Sequence, residues 1–344
     1  MQPDYSIVIP VYYNEGSLTP TLLSLKSEVF EQHPDLLPEV IFVDDGSGDG
    51  SLAELRRLQT QYPDLVKVIK LTRNFGQVSA VLAGLAFSQG KCAIFISADG
   101  QDPPKLINAM LQAHFEENCD IVACFREGRD ESAYRIWTSQ IFYRVMRKLS
   151  FPNMPQGGFD FALLSRRVVQ VLLRNREATP FFQGQILWTG FNIKFIGYHR
   201  LERKVGRSGW TFTKKLTYLM DGVVAYSFFP IRFITAVGVL VALGGFLYAF
   251  IILVTKLIWG LPVTGWAPLM IIILVLGGTQ MLMLGIIGEY LWRSLAQARN
   301  RDSYLIDAIY GDFRNVDLPA TGAQSNPNDN LKSDAVENTT HSIR

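Results

Sequence analysis

Asp99 and Gln101 stand two residues apart where the apolar run CAIFIS gives way to ADGQDPP, residues 98–104. A carboxylate and an amide oxygen at that spacing offer the hard oxygen ligands that Mg2+ or Mn2+ takes beside phosphate oxygens. Pro103 and Pro104 suit the first turn of a following helix, where a missing N–H costs nothing, and an acidic turn capping that helix is the alternative. Three other apolar runs end in a comparable way: the first in Pro10, Tyr12, Asn14 and Glu15, the second in Asp44, Asp45 and Ser47, the third in Arg73, Asn74, Gly76 and Gln77. Asp45 can accept from an N–H on a nucleobase edge, and Arg73 suits a carboxylate, a base face or phosphate. Each cluster alone is ordinary turn chemistry. Together they point to a nucleotide diphosphate and a divalent metal ion.

The elements that must position them alternate along residues 1–125. YSIVIPVY, VIFVDD, VKVIKLT, CAIFIS and DIVACF read as strands, and stretches such as SLAELRRLQTQY repeat apolar positions at helical spacing. Such alternation predicts an α/β fold, a mostly parallel sheet with helices on both faces. In an open sheet of that kind the carboxyl ends of the strands share one edge, where ligands bind, so the four clusters should converge on one crevice. Beyond residue 126 the pattern is less regular, with helices expected through TSQIFYRVMRKLS and SRRVVQVLLRN.

The net charge of +2 over 344 residues carries no basic excess of the kind nucleic-acid binders show. Cys92, Cys119 and Cys124 lie in or beside apolar runs without CxxC spacing, as small buried hydrophobes rather than metal ligands. MQPDY leads straight into a strand, so no cleaved signal peptide is expected.

Charge is absent from Phe233 to Thr255 and again between Lys256 and Glu289. Each side of the Gly260 to Pro268 break supplies the ~20 apolar residues a membrane helix needs, and a buried soluble hairpin is the alternative. The expected organisation is a catalytic domain over 1–209, an interfacial helix over 210–230, transmembrane helices over 231–257 and 266–288, a juxtamembrane helix over 289–314 and a disordered tail over 315–344. Arg203, Lys204, Arg207, Lys214, Lys215 and Arg232 precede the hairpin, and Arg293, Arg299 and Arg301 follow it. The positive-inside rule therefore makes both ends cytoplasmic, with the chain in the cell (inner) membrane. Arg126, Arg129, Arg135, Arg207 and Lys215 are cations available to a phosphate near the bilayer; the lysines could equally meet anionic headgroups.

Ile9 to Glu15, Val43 to Ser47, Arg73 to Gly76 and Asp99 to Pro104 resemble the successive signatures of family 2 glycosyltransferases with the GT-A (Rossmann-like) fold. Gly158-Phe159-Asp160-Phe161, Arg207-Ser208-Gly209-Trp210 and the apolar hairpin narrow the resemblance to polyisoprenyl-phosphate glycosyltransferases over about residues 5–295. This group contains dolichol-phosphate mannose synthase and the bacterial GtrB-type glucosyltransferases, the nearer match. One departure concerns the metal motif, which the family often writes Asp-x-Asp-x-Gln. Ser97 occupies its first acidic position, leaving Asp99 and Gln101 as ligands.

The resemblance implies inverting transfer of a hexose, glucose from UDP-glucose, onto a polyisoprenyl phosphate beside the lipid bilayer, with Mg2+ or Mn2+ as cofactor. It assigns catalytic positions to Asp160, Asp99 and Arg207, with Ser208 beside the last, and suggests a homotetramer. Other donors, including a mannose nucleotide, stay open. A polysaccharide synthase would carry a Gln-x-x-Arg-Trp signature, which the chain lacks, and an inactive nucleotide-sugar scaffold is conceivable through Ser97.

Overall fold

The computed structural model describes residues 2–127, 143–144, 146–148, 150–155, 157–175, 181–199, 222, 224, 226–259, 265–299 and 301–313. Five strands lie where the apolar runs place them: β1 Tyr5–Val11, β2 Pro38–Asp44, β3 Val66–Leu71, β4 Cys92–Phe95 and β5 Ile121–Arg126. Three more were not legible: β6 Phe159–Ser165, β7 Ile193–Tyr198 and β8 Ile306–Tyr310. They form one sheet in the order β7-β5-β6-β4-β1-β2-β3-β8. β6 and β8 run antiparallel to their neighbours and the rest are parallel.

Helices α1 Leu18–Glu28, α2 Ser51–Gln61, α3 Gln77–Phe87 and α4 Leu106–Phe115 connect the first five strands. Alternate strand residues serve opposite layers. Ile7 and Ile9 pack with Leu22, Leu55 and Met110 of α1, α2 and α4. Val8 and Val43 pack with α3, with Val168 and Leu172 of α5 (Arg166–Arg174), and with Phe182 and Ile186 of α6 (Phe182–Trp188). Each of these fully buried side chains contributes roughly 1.5–3 kcal/mol relative to exposure. A methyl at Gly84 would strike the Val8 side chain, so the glycine is what lets α3 lie close on β1.

Chain order reverses at β1: β2 and β3 build outward on one side, while β4 returns to the other. This reversal opens a crevice at the carboxyl ends of β1 and β4. Pro10 helps to keep it open. The Val8 carbonyl accepts from Ile96 N on the β4 side, and β1–β4 pairing ends at Val8 and Phe95. Because backbone groups two residues apart face the same side, the missing N–H of Pro10 falls beyond that pairing.

After β7 come two long helices, α7 Phe229–Trp259 and α8 Trp266–Ala298, which meet where Gly238 approaches Met283. Phe229–Thr255 is long and apolar enough to cross a membrane, and side chains such as Leu240, Phe246 and Leu257 are exposed. Two expectations need correction. Residues 289–314 are not one helix: α8 ends at Ala298, and the chain returns as β8 beside β3, where Lys70 pairs with Asp307 at 2.5 Å. Pro103 and Pro104 precede α4 instead of lying in its first turn, and their carbonyls accept from Leu106 and Ile107. Most of the expected interfacial helix, 210–230, and the tail from 314 lie outside the described residues.

Candidate active site

At the carboxyl ends of β1, β2 and β3 three loops hold one another. Tyr13 N donates to Ser47 Oγ at 3.1 Å and Asn14 N to Ser51 Oγ at 2.9 Å. Gly50 N donates to Glu15 Oε2 at 3.0 Å, and Tyr12 N to Asn14 Oδ1 at 2.9 Å. Asn14 and Glu15, expected to bind ligand, thus also staple the β1–α1 loop to the β2–α2 loop. Tyr12 and Tyr13 stay exposed, edge to face with centroids 4.7 Å apart.

Asp45 is buried, and its two oxygens accept from Phe75 N at 2.7 Å and Gly76 N at 2.9 Å. It therefore sets the loop that presents exposed Arg73 and Asn74 and leads into Gln77, and Arg73 lies over the Phe75 ring at 4.0 Å. Asp44 is fully buried; one oxygen accepts from Ser47 N at 3.1 Å and the other, Oδ2, has no hydrogen-bond partner among the described residues. Burial pushes both carboxyls above the usual aspartate range, against the lowering effect of their hydrogen bonds.

Where β4 ends, Asp99 Oδ1 accepts from Ser97 Oγ at 2.8 Å and from Gln101 N at 3.2 Å. Ser97 Oγ also stands 2.6 Å from Asp102 Oδ2. One hydroxyl thus bridges two carboxylates, where an acid at position 97 would face both with like charge. Ser17 Oγ reaches the Ala98 carbonyl at 3.1 Å and ties this turn to the start of α1.

At the start of β6, Asp160 sits in a β-bulge. Phe125 pairs with Phe159 and Cys124 with Phe161, leaving Asp160 unpaired in the ladder. The bulge puts Phe159 and Phe161 into opposite core layers and turns Asp160 outward at the same edge as Asp99. Asp160 Oδ2 accepts from Arg126 Nη2 at 3.1 Å and Oδ1 from Gln183 Nε2 at 3.1 Å. Tyr198 is the partner of Arg126 in the β5–β7 register, and its hydroxyl donates to Asp102 Oδ1 at 2.5 Å. Burial alone would lower the Arg126 guanidinium, but Asp160 and Tyr198 outweigh it and raise it. Burial, then Asp102, push the Tyr198 phenol up.

Two bonded groups therefore adjoin along one sheet edge, Ser97–Asp102–Tyr198 and Arg126–Asp160–Gln183, set side by side by the pairing of Arg126 with Tyr198 in the β5–β7 register. The model for glycosyl transferase family 2 matches residues 6–173. The glycosyltransferase YkcC of Bacillus subtilis is 36% identical over 308 residues, covering 89% of this chain and 94% of that one. The SfII prophage-derived bactoprenol glucosyl transferase of Shigella flexneri is 33% identical over 302 residues, 88% of this chain and 96% of the relative. The chain belongs to glycosyl transferase family 2. A mannosyltransferase structure from Pyrobaculum calidifontis, in complex with GDP-Man and Mn2+, aligns with TM-score 0.47 and 18% identity over 65% of this chain and 64% of that one.

As a family 2 glycosyltransferase the chain has the GT-A arrangement, a mostly parallel sheet with its site at one edge. Among the described residues no group of three or more His, Cys, Asp or Glu side chains is placed to hold a metal ion. Asp102 is turned inward and engaged by Ser97 and Tyr198. The hard oxygens of Asp99 and Gln101 fit a divalent cation shared with diphosphate oxygens, rather than a closed protein site.

Of the expected site residues, Arg129, Arg135, Arg207, Ser208 and Lys215 lie outside the described residues. Tyr198, Gln183 and the inward role of Asp102 were not read from the sequence. Asp102 stood within the ADGQDPP motif, and Gln183 is a polar residue inside the apolar FFQGQILW. Tyr198 gave no signal, because the strand it ends was itself unread.

Proposed function

We propose that the protein transfers glucose from UDP-glucose to a polyisoprenyl phosphate at the cytoplasmic membrane face, with inversion at the anomeric carbon. The observation that carries this is a single sheet edge holding oxygen ligands at Asp99 and Gln101 and an arginine–carboxylate pair at Arg126 and Asp160. The relative named as a bactoprenol glucosyl transferase supports the choice of sugar and carrier. Helix α7, long and apolar enough to cross a membrane over Phe229–Thr255, is completed by α8 into a membrane hairpin, with the sheet domain and both termini on the cytoplasmic side.

Asp45 and the loop of Arg73 to Gln77 receive the nucleotide, while Asp99 and Gln101 hold Mg2+ or Mn2+. The ion supplies Lewis-acid stabilisation of charge on the departing diphosphate. Arg126, with Arg129, Arg135, Arg207 and Lys215, receives the acceptor phosphate. Its second pKa is about 6, so it is already largely dianionic at neutral pH and needs no strong base. Asp160, fixed by Gln183 and Arg126, orients the reacting groups. The acceptor phosphate has to draw Arg126 from Asp160, and does so with the larger charge.

The test is a donor screen: purified full chain, polyprenyl phosphate and labelled UDP- and GDP-sugars, with and without EDTA, scored by label entering the organic phase. Label from UDP-glucose alone, abolished by EDTA and restored by the cation, is the expected result. Label from another sugar nucleotide would replace the donor. No label from any donor would overturn the proposal.

A further inference from the structure

We propose that Tyr198 is a positioning residue for acceptor recognition: its hydroxyl, fixed by Asp102, holds the Arg126 guanidinium ready for a phosphate monoester. This rests on the acceptor role proposed above for Arg126.

Proton counting sets the direction of the relay. Tyr198 has one hydroxyl proton, and the 2.5 Å contact to Asp102 Oδ1 takes it. The phenol oxygen is then left with lone pairs beside Arg126, its partner in the β5–β7 register, whose guanidinium it helps to raise. Asp102 is 2% exposed and its other oxygen meets Ser97, so this carboxylate has no freedom to swing. The Tyr198 ring is 6% exposed and meets Phe161 edge to face, with centroids 6.5 Å apart.

The two groups on Arg126 therefore differ. Asp160 is an outward carboxylate, its side chain 52% exposed, which an incoming phosphate can displace. Tyr198 is a buried anchor that stays when Asp160 leaves. An arginine side chain carries substantial rotamer entropy, and a fixed neighbour on one side removes much of it before the ligand arrives. Through Asp102 and Ser97 the same anchor is tied to the turn carrying Asp99, so donor and acceptor sites share one rigid link.

The experiment uses the full-length chain in detergent and varies acceptor and donor separately. Tyr198→Phe keeps the ring and removes the hydroxyl. Its KM for polyprenyl phosphate is expected to rise about five- to tenfold, the effect of one charge-assisted hydrogen bond, with KM for UDP-glucose and kcat within about twofold of wild type. In an Arg126→Ala background the same change should add nothing, because Tyr198 acts through Arg126. Asp102→Asn keeps an oxygen for the phenol and should stay nearer wild type than Tyr198→Phe.

Binding of citronellyl phosphate by calorimetry gives a readout independent of the donor sugar, with a matching loss expected in Tyr198→Phe. An unchanged acceptor KM in a folded Tyr198→Phe, an additive loss in the double variant, or the reverse order of the two single variants would overturn the positioning role while leaving the acceptor reading intact. Wild-type protein that neither binds citronellyl phosphate nor transfers sugar would overturn both.

Discussion

The Arg126 guanidinium meets Asp160 across 3.1 Å, joining the end of β5 to the bulge that opens β6. This pairing gives the two residues opposed effects on the acceptor. Removing the charge of Asp160 frees Arg126 for phosphate but deprives the reacting groups of an orienting carboxylate. Asp160→Asn is therefore expected to lower kcat about a hundredfold while leaving KM for polyprenyl phosphate unchanged or lower. Steady-state kinetics with the acceptor varied checks this. A raised KM with intact kcat would make Asp160 a binding group instead.

Asp99→Asn tests the metal assignment. The amide keeps the size of the side chain and an oxygen for Ser97, so the turn should survive, as should the fold and membrane association. Charge stabilisation of the departing diphosphate by a cation is worth several kcal/mol, which corresponds to a loss of about a hundredfold or more in metal-stimulated turnover. A manganese and magnesium titration of activity at matched expression decides it. A near-normal response to metal would remove Asp99 from the ligand set.

Strands β1 to β5 were legible because they are buried on both faces and read as apolar runs between turn signals. β7 is mostly half-buried, so IKFIGY lacks that signature. β8 follows a long apolar helix, and its partner β3 lies more than 230 positions earlier, as the Lys70–Asp307 separation of 237 shows. β6 was hidden by its bulge, which breaks the period of two at Asp160. The loops after β1, β2 and β3 were legible for a related reason: each follows its strand directly, so strand order alone brings them together. The link from Asp102 to Tyr198 spans 96 positions and joins the loop between β4 and α4 to the end of β7 by a side-chain hydrogen bond, which no local pattern encodes.

Gly46 tests the donor loop. Its φ is +73°, and a Cβ there would lie 2.7 Å from the Arg73 carbonyl carbon and 2.8 Å from Asn74 N. Gly46→Ala thus combines backbone strain of about 1–3 kcal/mol with displacement of the loop that Asp45 holds. Gly190 has φ +68° but nothing within 4 Å of where a methyl would stand, so Gly190→Ala carries the strain alone. Both variants are expected to lower the melting temperature, and only Gly46→Ala should raise KM for the sugar nucleotide, by about tenfold or more. Equal donor KM values in the two variants would separate the loop from nucleotide binding.

The last prediction concerns stability and pH, away from the site. Arg167 donates from Nε and Nη2 to the two oxygens of Asp120, a carboxylate only 6% exposed that also accepts from Ser165 Oγ at 3.0 Å. The Arg167 hydrogen bonds hold the Asp120 carboxyl below the usual aspartate range, against the opposing effect of burial, with Ser165 assisting. A carboxyl lowered in the folded state contributes stability that is fully present above its unfolded pKa of about 3.9 and is lost as pH falls through the folded value. Arg167→Met leaves a buried carboxylate short of two donors, so it should melt several degrees below wild type at neutral pH. The gap should close as pH falls below about 4, where Asp120 takes up its proton in the variant first. Thermal scans between neutral and acidic pH measure this. A gap that stays constant throughout would assign the loss to packing of the guanidinium over the Phe191 ring, 5.0 Å away, and not to its charge.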